Sequence, residues 1–198
     1  MKVIKIGGSL IDNAEEILKI LKNEEVLIIP GGGVFADAVR EVYKNYNVGE
    51  SEAHFMAIMA MNVFGICLEN RGEISVREEP EGELPAILLP YRFIKDRDEL
   101  PHTWDVTGDS IACYIGAELN AEEIILLKSV DGIFRDGGLI REIAASDLGL
   151  MEQSVVDSFL PEIINKYRMK CRILNGRKMK DINYIFKGNN GTYINHDI

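Results

Sequence analysis

A chain of 198 residues with 46% hydrophobic and 27% charged side chains is long enough for one large α/β domain or two closely packed lobes, and too apolar to remain disordered. A formal net charge of −10 argues against a nucleic-acid partner, because neutralising phosphates takes a basic stripe. Three widely separated cysteines, Cys67, Cys113 and Cys171, contain no CxxC pair and leave an odd count, which indicates neither a disulfide framework nor a zinc site. Reduced core thiols in a cytoplasmic protein are expected. The opening MKVIKIGGSL holds too short an apolar run to span a bilayer, and no other segment is expected to approach a transmembrane length, so no membrane partner is expected.

Val3–Ile6 reads as a short buried strand that stops at Gly7-Gly8. Asp12 or Asn13 is placed to cap a helix with Ile17, Leu18 and Leu21 on one face. Val26–Ile29 is a continuous apolar run, as in a parallel strand buried on both faces, and it ends in Pro30-Gly31-Gly32-Gly33. Phe35, Ala38, Val39, Val42 and Tyr43 keep helical spacing, and a Met- and Ala-rich helix is expected over Ser51 to Glu69. Ala86–Leu89 is a further strand. The polar segment Tyr91–Asp105 reads as a crossover between lobes, and Thr107 as the N-cap of a helix from Gly108 to about Glu118. Ile124–Leu127 is the next buried strand, Asp136-Gly137-Gly138 a hairpin turn, and Pro161–Lys166 a helix. A strand at Arg172–Leu174, a helix around Met179–Phe186 and a strand near Thr192–Ile194 follow. This alternation implies βαβ units: an α/β chain with a mainly parallel sheet and helices on both faces.

Three motifs stand at the carboxyl ends of expected strands, where open α/β sheets bind ligands. In Lys5-Ile6-Gly7-Gly8-Ser9, two glycines let backbone N–H groups approach an anion, and Lys5 either reaches that anion or is an edge-strand lysine before an ordinary turn. Gly31-Gly32-Gly33 exceeds the needs of a simple turn and sets a helix N-terminus toward a negative group. Neither loop matches GxxxxGK[ST] or GxGxxG. In Asp105-Val106-Thr107-Gly108-Asp109-Ser110, Asp109 falls in a first helical turn, either as a dipole-favoured acid or as the group that orders a lysine beside a Mg²⁺-bound phosphate. His54, on an apolar helix, reads as a satisfied interior or interface histidine. Trp104 either stacks on a ring-shaped acceptor or fills the core.

MKVIKIGGSL, PGGGVFADAVR, DVTGDSIA, LLKSVDGIF and ILNGR…GNNGTYI resemble, in that order, the signature blocks of the amino acid kinase superfamily. The resemblance covers nearly the whole chain and implies a three-layer αβα sandwich with a mainly parallel central sheet. It also implies a single domain over 1–198, with an acceptor lobe at about 1–100 and an ATP lobe at about 101–198. SEAHFMAIMAMNVFG and LPHTWDVTGDSIACYIG resemble a compact archaeal branch that phosphorylates [5-(aminomethyl)furan-3-yl]methyl phosphate in methanofuran biosynthesis. By that resemblance Lys5 and Asp109 are catalytic, and Lys128 is expected to join them although it departs from the family pattern. Gly7, Gly8, Ser9, Ser129, Val130, Asp131 and Gly132 serve ATP and its phosphates. Gly31, Gly32, Gly33, Trp104, Asp105 and Thr107 face the acceptor, with Asp105 a candidate for an amine contact. ATP and Mg²⁺ are the expected cofactors, with Mg²⁺ carried by ATP and not by direct protein ligands. A homo-oligomer, a dimer or higher, is expected.

One departure stands out. Many relatives have a phosphate-binding lysine where Ser158-Phe159-Leu160-Pro161-Glu162 places an acid, and a small hydroxyl residue where this chain has Lys128. Lys128 is therefore expected to restore the positive charge from a different backbone position. The rival readings are a kinase of this fold with another acceptor, such as a nucleoside monophosphate, isopentenyl phosphate or a carboxylate, and a non-catalytic nucleotide or oxyanion binder.

Overall fold

The computed structural model describes residues 1–197, so Ile198, the last residue of the expected ATP lobe, lies outside the described residues. The elements in chain order are β1 (Lys2–Ile6), a 3₁₀ segment (Gly8–Asn13), α1 (Ala14–Leu21), β2 (Val26–Pro30), α2 (Gly33–Asn45), α3 (Glu50–Gly72), β3 (Val76–Arg77), β4 (Ala86–Leu88) and α4 (Pro90–Arg97). Then follow α5 (Gly108–Glu118), β5 (Glu123–Lys128), a ribbon of β6 (Phe134–Arg135) and β7 (Gly138–Leu139), β8 (Glu142–Ala144), α6 (Ala145–Gly149), α7 (Leu160–Lys166), β9 (Lys170–Asn175), α8 (Asn183–Phe186) and β10 (Thr192–Asn195).

Eight strands form one sheet in the order β3-β4-β2-β1-β5-β9-β10-β8. Every pairing is parallel except β9 with β10. The first half of the chain supplies the four strands on one side and the second half the four on the other, with β1 and β5 adjacent at the junction. Alternation along the strands sorts the core into two layers. Val3, Leu27, Ile29, Ile124 and Leu126 face α5 and α7, whereas Ile4, Ile6, Ile28, Ile125 and Leu127 face α1. The result is the expected α/β three-layer sandwich. Helix α3 feeds both layers, Ile58 and Met61 into one and Phe64 and Leu68 into the other.

Several expectations change. The supposed polar crossover begins with a helix, α4, because Pro90 is a favourable first helical residue and Phe93 and Ile94 bury one face. β8 and α6 were unforeseen, since segments of three and five residues carry too little periodicity to read. The helix expected from Met179 shrinks to α8, because Gly176–Lys178 forms a 3₁₀ turn and Met179 leaves it extended. Asn13 occupies the N-cap of α1 and Thr107 that of α5, yet neither side chain caps. Helix α3, with 23 residues and a mean hydropathy of 1.4 over an 18-residue stretch, is long and apolar enough to cross a membrane, against the expectation that no segment approaches that length. Its Ile58, Met61, Phe64 and Leu68 are buried within the two core layers of this fold.

Candidate active site

The carboxyl ends of β1, β2 and β5 lie side by side, and the loops leaving them meet at one point. Gly7 N–H donates to Leu127 O (2.9 Å) and Gly31 N–H to Ile6 O (2.9 Å), stitching the three strand ends together. At Gly8 a Cβ would stand 2.1 Å from the Cα of Gly33, so the β1 and β2 loops touch backbone to backbone. Gly33 itself has φ +53, a left-handed conformation that favours glycine. The two glycine runs are thus one structure: a close contact of two loops that leaves the N-terminus of α2 beside the β1 turn. Ser9 Oγ donates to Ser129 Oγ at 3.3 Å, tying in the loop after β5.

Beside this contact a single buried carboxylate holds two ammonium groups. Asp109, 3% exposed, accepts from Lys5 Nζ at 2.9 Å through Oδ1 and from Lys128 Nζ at 2.5 Å through Oδ2. Burial alone would raise the Asp109 pKa, but the charges of Lys5 and Lys128 override it and hold the carboxyl below its ordinary range. Lys128 is depressed below the ordinary lysine value, first by burial and then by the Lys5 charge, against the pull of Asp109. Two cations on one anion leave a net charge of +1 aimed at the loop contact, which suits an anionic ligand.

Asp109 is positioned by a residue that the sequence did not single out. Asp157 accepts through Oδ2 from Thr107 N–H (3.0 Å), Thr107 Oγ1 (2.8 Å) and Ser110 N–H (3.0 Å), and through Oδ1 from Ser110 Oγ (2.5 Å) and Leu160 N–H (3.0 Å). It therefore caps α5 from about fifty residues away in sequence and fixes where the helix presents Asp109. Burial and then the Asp109 charge raise the Asp157 pKa, against the bonds from Ser110 and Thr107. No local pattern marks a cap supplied from so far along the chain.

A cavity of about 390 Å³ opens over this cluster. Its walls include Lys5, Gly7, Gly8, Ser9, Gly32, Gly33, Trp104, Thr107, Lys128, Ser129 and Val130, so most residues expected at the site come together. Five do not line it. Asp109 is buried behind the two lysines that it holds. Gly31 gives its N–H to Ile6 O, and a Cβ there would press on Lys5 Cε at 3.2 Å, so it accommodates the lysine stem. Asp105 points its carboxylate at Ser158 Oγ (2.8 Å). Asp131 accepts from Asn175 Nδ2 (2.9 Å) and Lys178 Nζ (2.7 Å). Gly132, at φ +142, passes under Thr192. Thr107 does reach the wall, but its hydroxyl is committed to Asp157. Glu162 is solvent-exposed in the first turn of α7 and is not part of the wall.

The cavity also draws on Asp37, Arg40, Glu50, His54, Met61 and Val155, none of which was expected there. Trp104 is half-buried, tilted against Tyr43 (5.4 Å between ring centres), with the Arg40 guanidinium 5.2 Å from its own ring centre. His54 is buried, as expected for an interior histidine, but it is not satisfied: its Nε2 has no hydrogen-bond partner.

The profile of the amino acid kinase family matches residues 86–175. A [5-(aminomethyl)furan-3-yl]methyl phosphate kinase from Methanocaldococcus jannaschii is 36% identical, over 98% of this chain and 96% of its own length. An acetylglutamate kinase from Bacillus cereus is 22% identical, over 89% of this chain and 90% of its own. Among solved structures, a uridylate kinase from Archaeoglobus fulgidus superposes with a TM-score of 0.67 at 16% identity, covering 98% of this chain and all of its own. A UMP kinase from Ureaplasma parvum does so with a TM-score of 0.67 at 21% identity, covering 100% and 99%. At such low identities the structures speak for the fold alone, but more than a third of positions shared with a relative along almost the whole chain is a stronger tie, and the chain belongs to the amino acid kinase family.

Proposed function

We propose that this protein is an ATP-dependent kinase that moves the γ-phosphoryl group onto the phosphate of [5-(aminomethyl)furan-3-yl]methyl phosphate, giving the diphosphate and ADP. The observation that carries the reading is the clamp of Lys5 and Lys128 on Asp109 beneath the Gly8–Gly33 contact. Phosphoryl transfer needs positioning and charge neutralisation more than covalent chemistry. An acceptor phosphate oxygen forms the new bond to the γ-phosphorus, and the bond from that phosphorus to the β,γ-bridging oxygen breaks, leaving ADP. The acceptor oxygen is already ionised near neutral pH, so no general base is required. Lys5 and Lys128 neutralise charge on the equatorial oxygens, while Asp109 holds both lysines so that little reorganisation is needed. Backbone N–H groups of the β1 turn and the N-terminus of α2 take the remaining phosphate oxygens.

Both Asp109 oxygens are occupied by lysines, so Mg²⁺ fits as an ion carried by the oxygens of ATP, where it supplies further positive charge. Residues 1–100 form the acceptor lobe and the remainder the ATP lobe, with Ser129 and Val130 on the nucleotide side. The division follows the sheet, in which the two halves of the chain lie on opposite sides of the β1–β5 junction. The protein works as a homo-oligomer in the cytoplasm, with α3 at the subunit contact. The middle of helix α3 is apolar on its outer side as well as its inner one and leaves Met59, Val63 and Ile66 exposed at 51%, 44% and 54%.

The test is ADP release with a panel of acceptors: the aminomethylfuran phosphate, UMP, isopentenyl phosphate and acetylglutamate. The furan phosphate is expected to lead by kcat/KM. Turnover of UMP with none of the furan phosphate sinks the acceptor assignment. ATP binding without turnover of any acceptor sinks the kinase.

A further inference from the structure

The acceptor end of the cavity is made by one face each of two helices. Asp37 and Arg40 line it from α2, and Glu50 and His54 line it from α3, each pair about one turn apart. Arg40 is already engaged, donating to Asp37 Oδ1 at 2.7 Å and lying over Trp104. His54 is not. Its side chain is 7% exposed, it lines the cavity, and its Nε2 is buried without a partner. Buried polar nitrogens are nearly always hydrogen-bonded, so an unpartnered one on a residue that lines the cavity calls for a partner, and a ligand in the cavity is the nearest source of one.

The ring is held in place. It stacks on His102 with centres 4.7 Å apart and planes 22° apart. His102 is itself fixed at both nitrogens, by Ser51 Oγ at 2.9 Å and by Asp98 Oδ1 at 2.8 Å. Burial, and then the neighbouring His102, lower the His54 pKa to about 4 against the opposing pull of Asp98. At neutral pH the imidazole is therefore uncharged and keeps one nitrogen lone pair for an incoming N–H. One turn earlier on α3, Glu50 brings a carboxylate to the same wall and has no ion pair among the described residues. A neutral acceptor beside a free carboxylate suits a group with several N–H donors and a positive charge. It does not suit a second phosphate, which Glu50 would repel.

We infer that His54 and Glu50 form the subsite for a cationic amine on the acceptor, His54 accepting one ammonium N–H and Glu50 balancing the charge. The inference rests on the reading of the protein as a phosphomonoester kinase, and it takes the amine contact away from Asp105, which does not line the cavity. The ring of the acceptor lies between this subsite and the lysine clamp, so the amine sets how far the phosphate reaches toward Lys5 and Lys128.

The experiment compares two acceptors by ADP release: [5-(aminomethyl)furan-3-yl]methyl phosphate and its counterpart with methyl in place of aminomethyl. The quantity read is the ratio of their kcat/KM values within each protein, so a general loss of stability cancels. The wild type is expected to favour the amine by about tenfold or more, as sites built for a polar group reject analogues that lack it. Glu50→Gln and His54→Phe bring the ratio toward one, and His54→Gln, which keeps an acceptor oxygen, retains part of the preference. Glu50 is exposed, so its variant does not threaten the fold. An equal rate on both acceptors in the wild type, or an unchanged ratio in Glu50→Gln and His54→Phe, overturns the subsite and leaves the kinase standing. A wild type that turns over neither furan acceptor but does use another phosphomonoester removes the acceptor assignment and the subsite together.

Discussion

Replacing Lys128 by Met removes one charge and nearly preserves the length of the side chain. The clamp then falls from two cations on one anion to one of each, and its net charge from +1 to zero. Lys128 is 17% exposed at the side chain and Asp109 only 4%, so solvent screens little of the change. A preorganised charge-stabilising donor is worth about 2.7–4 kcal/mol at the transition state, or about 10²–10³ in kcat. Breaking a buried ion pair from one side costs about 3–5 kcal/mol of stability, and the surviving bond from Lys5 at 2.9 Å keeps the loss toward the lower end. The assay is steady-state ADP release at saturating acceptor, read as kcat and as KM for ATP, with thermal denaturation followed by circular dichroism. A fall in kcat of about a hundredfold or more, with a smaller change in KM, is expected. The pH profile adds a second reading. Because the folded Lys128 pKa lies below 10.5, the protonated, active form is lost as pH rises through that lowered value, and the alkaline fall in kcat/KM precedes that of an ordinary lysine. In Lys128→Met that early limb disappears. A folded variant with kcat within about threefold of wild type would refute the idea that Lys128 takes the place of the missing lysine.

Asp157→Asn puts an amide where five donors converge, leaving some unpaired. A loss of about 1–3 kcal/mol in denaturant unfolding is expected, together with lower kcat, since α5 no longer fixes Asp109; unchanged kcat would remove Asp157 from the positioning role. Gly8→Ala drives a Cβ to 2.1 Å from backbone and should abolish most activity, whereas Gly138→Ala meets its nearest atom at 3.5 Å and should act as wild type. For His54, the unfolded chain binds a proton between pH 6.5 and about 4 where the native state does not, so this residue makes stability fall as pH drops through that window; the unfolding midpoints of wild type and His54→Gln should converge as pH falls, and a constant gap would contradict the assignment. Sedimentation at micromolar concentration should show an oligomer that Val63→Lys dissociates, and a monomeric wild type would count against α3 as the contact.

The buried strands were legible because most are short runs of apolar residues, several closed by glycine or proline, and a strand buried on both faces leaves little choice of residue: Val26–Pro30 is buried throughout. The glycine loops were legible for a related reason, since Gly8 and Gly33 meet where a side chain has no room. Lys5 and Asp109 were recognisable as a charged residue inside a strand and one in a first helical turn, and the departure from the family pattern at Glu162 pointed to Lys128. What the sequence by itself could not decide was which groups meet. Asp157 caps a helix that begins about fifty residues earlier, and Asp105, inside the same motif as Asp109, turns to Ser158 instead of the cavity. His54 had the local pattern of an ordinary core residue. Only the tertiary packing left its Nε2 buried and unpartnered on a residue that also lines the cavity. Periodicity and turn chemistry act over a few residues, so they fix elements and their ends; a hydrogen bond between distant segments depends on how whole layers dock, and that is decided by the tertiary structure.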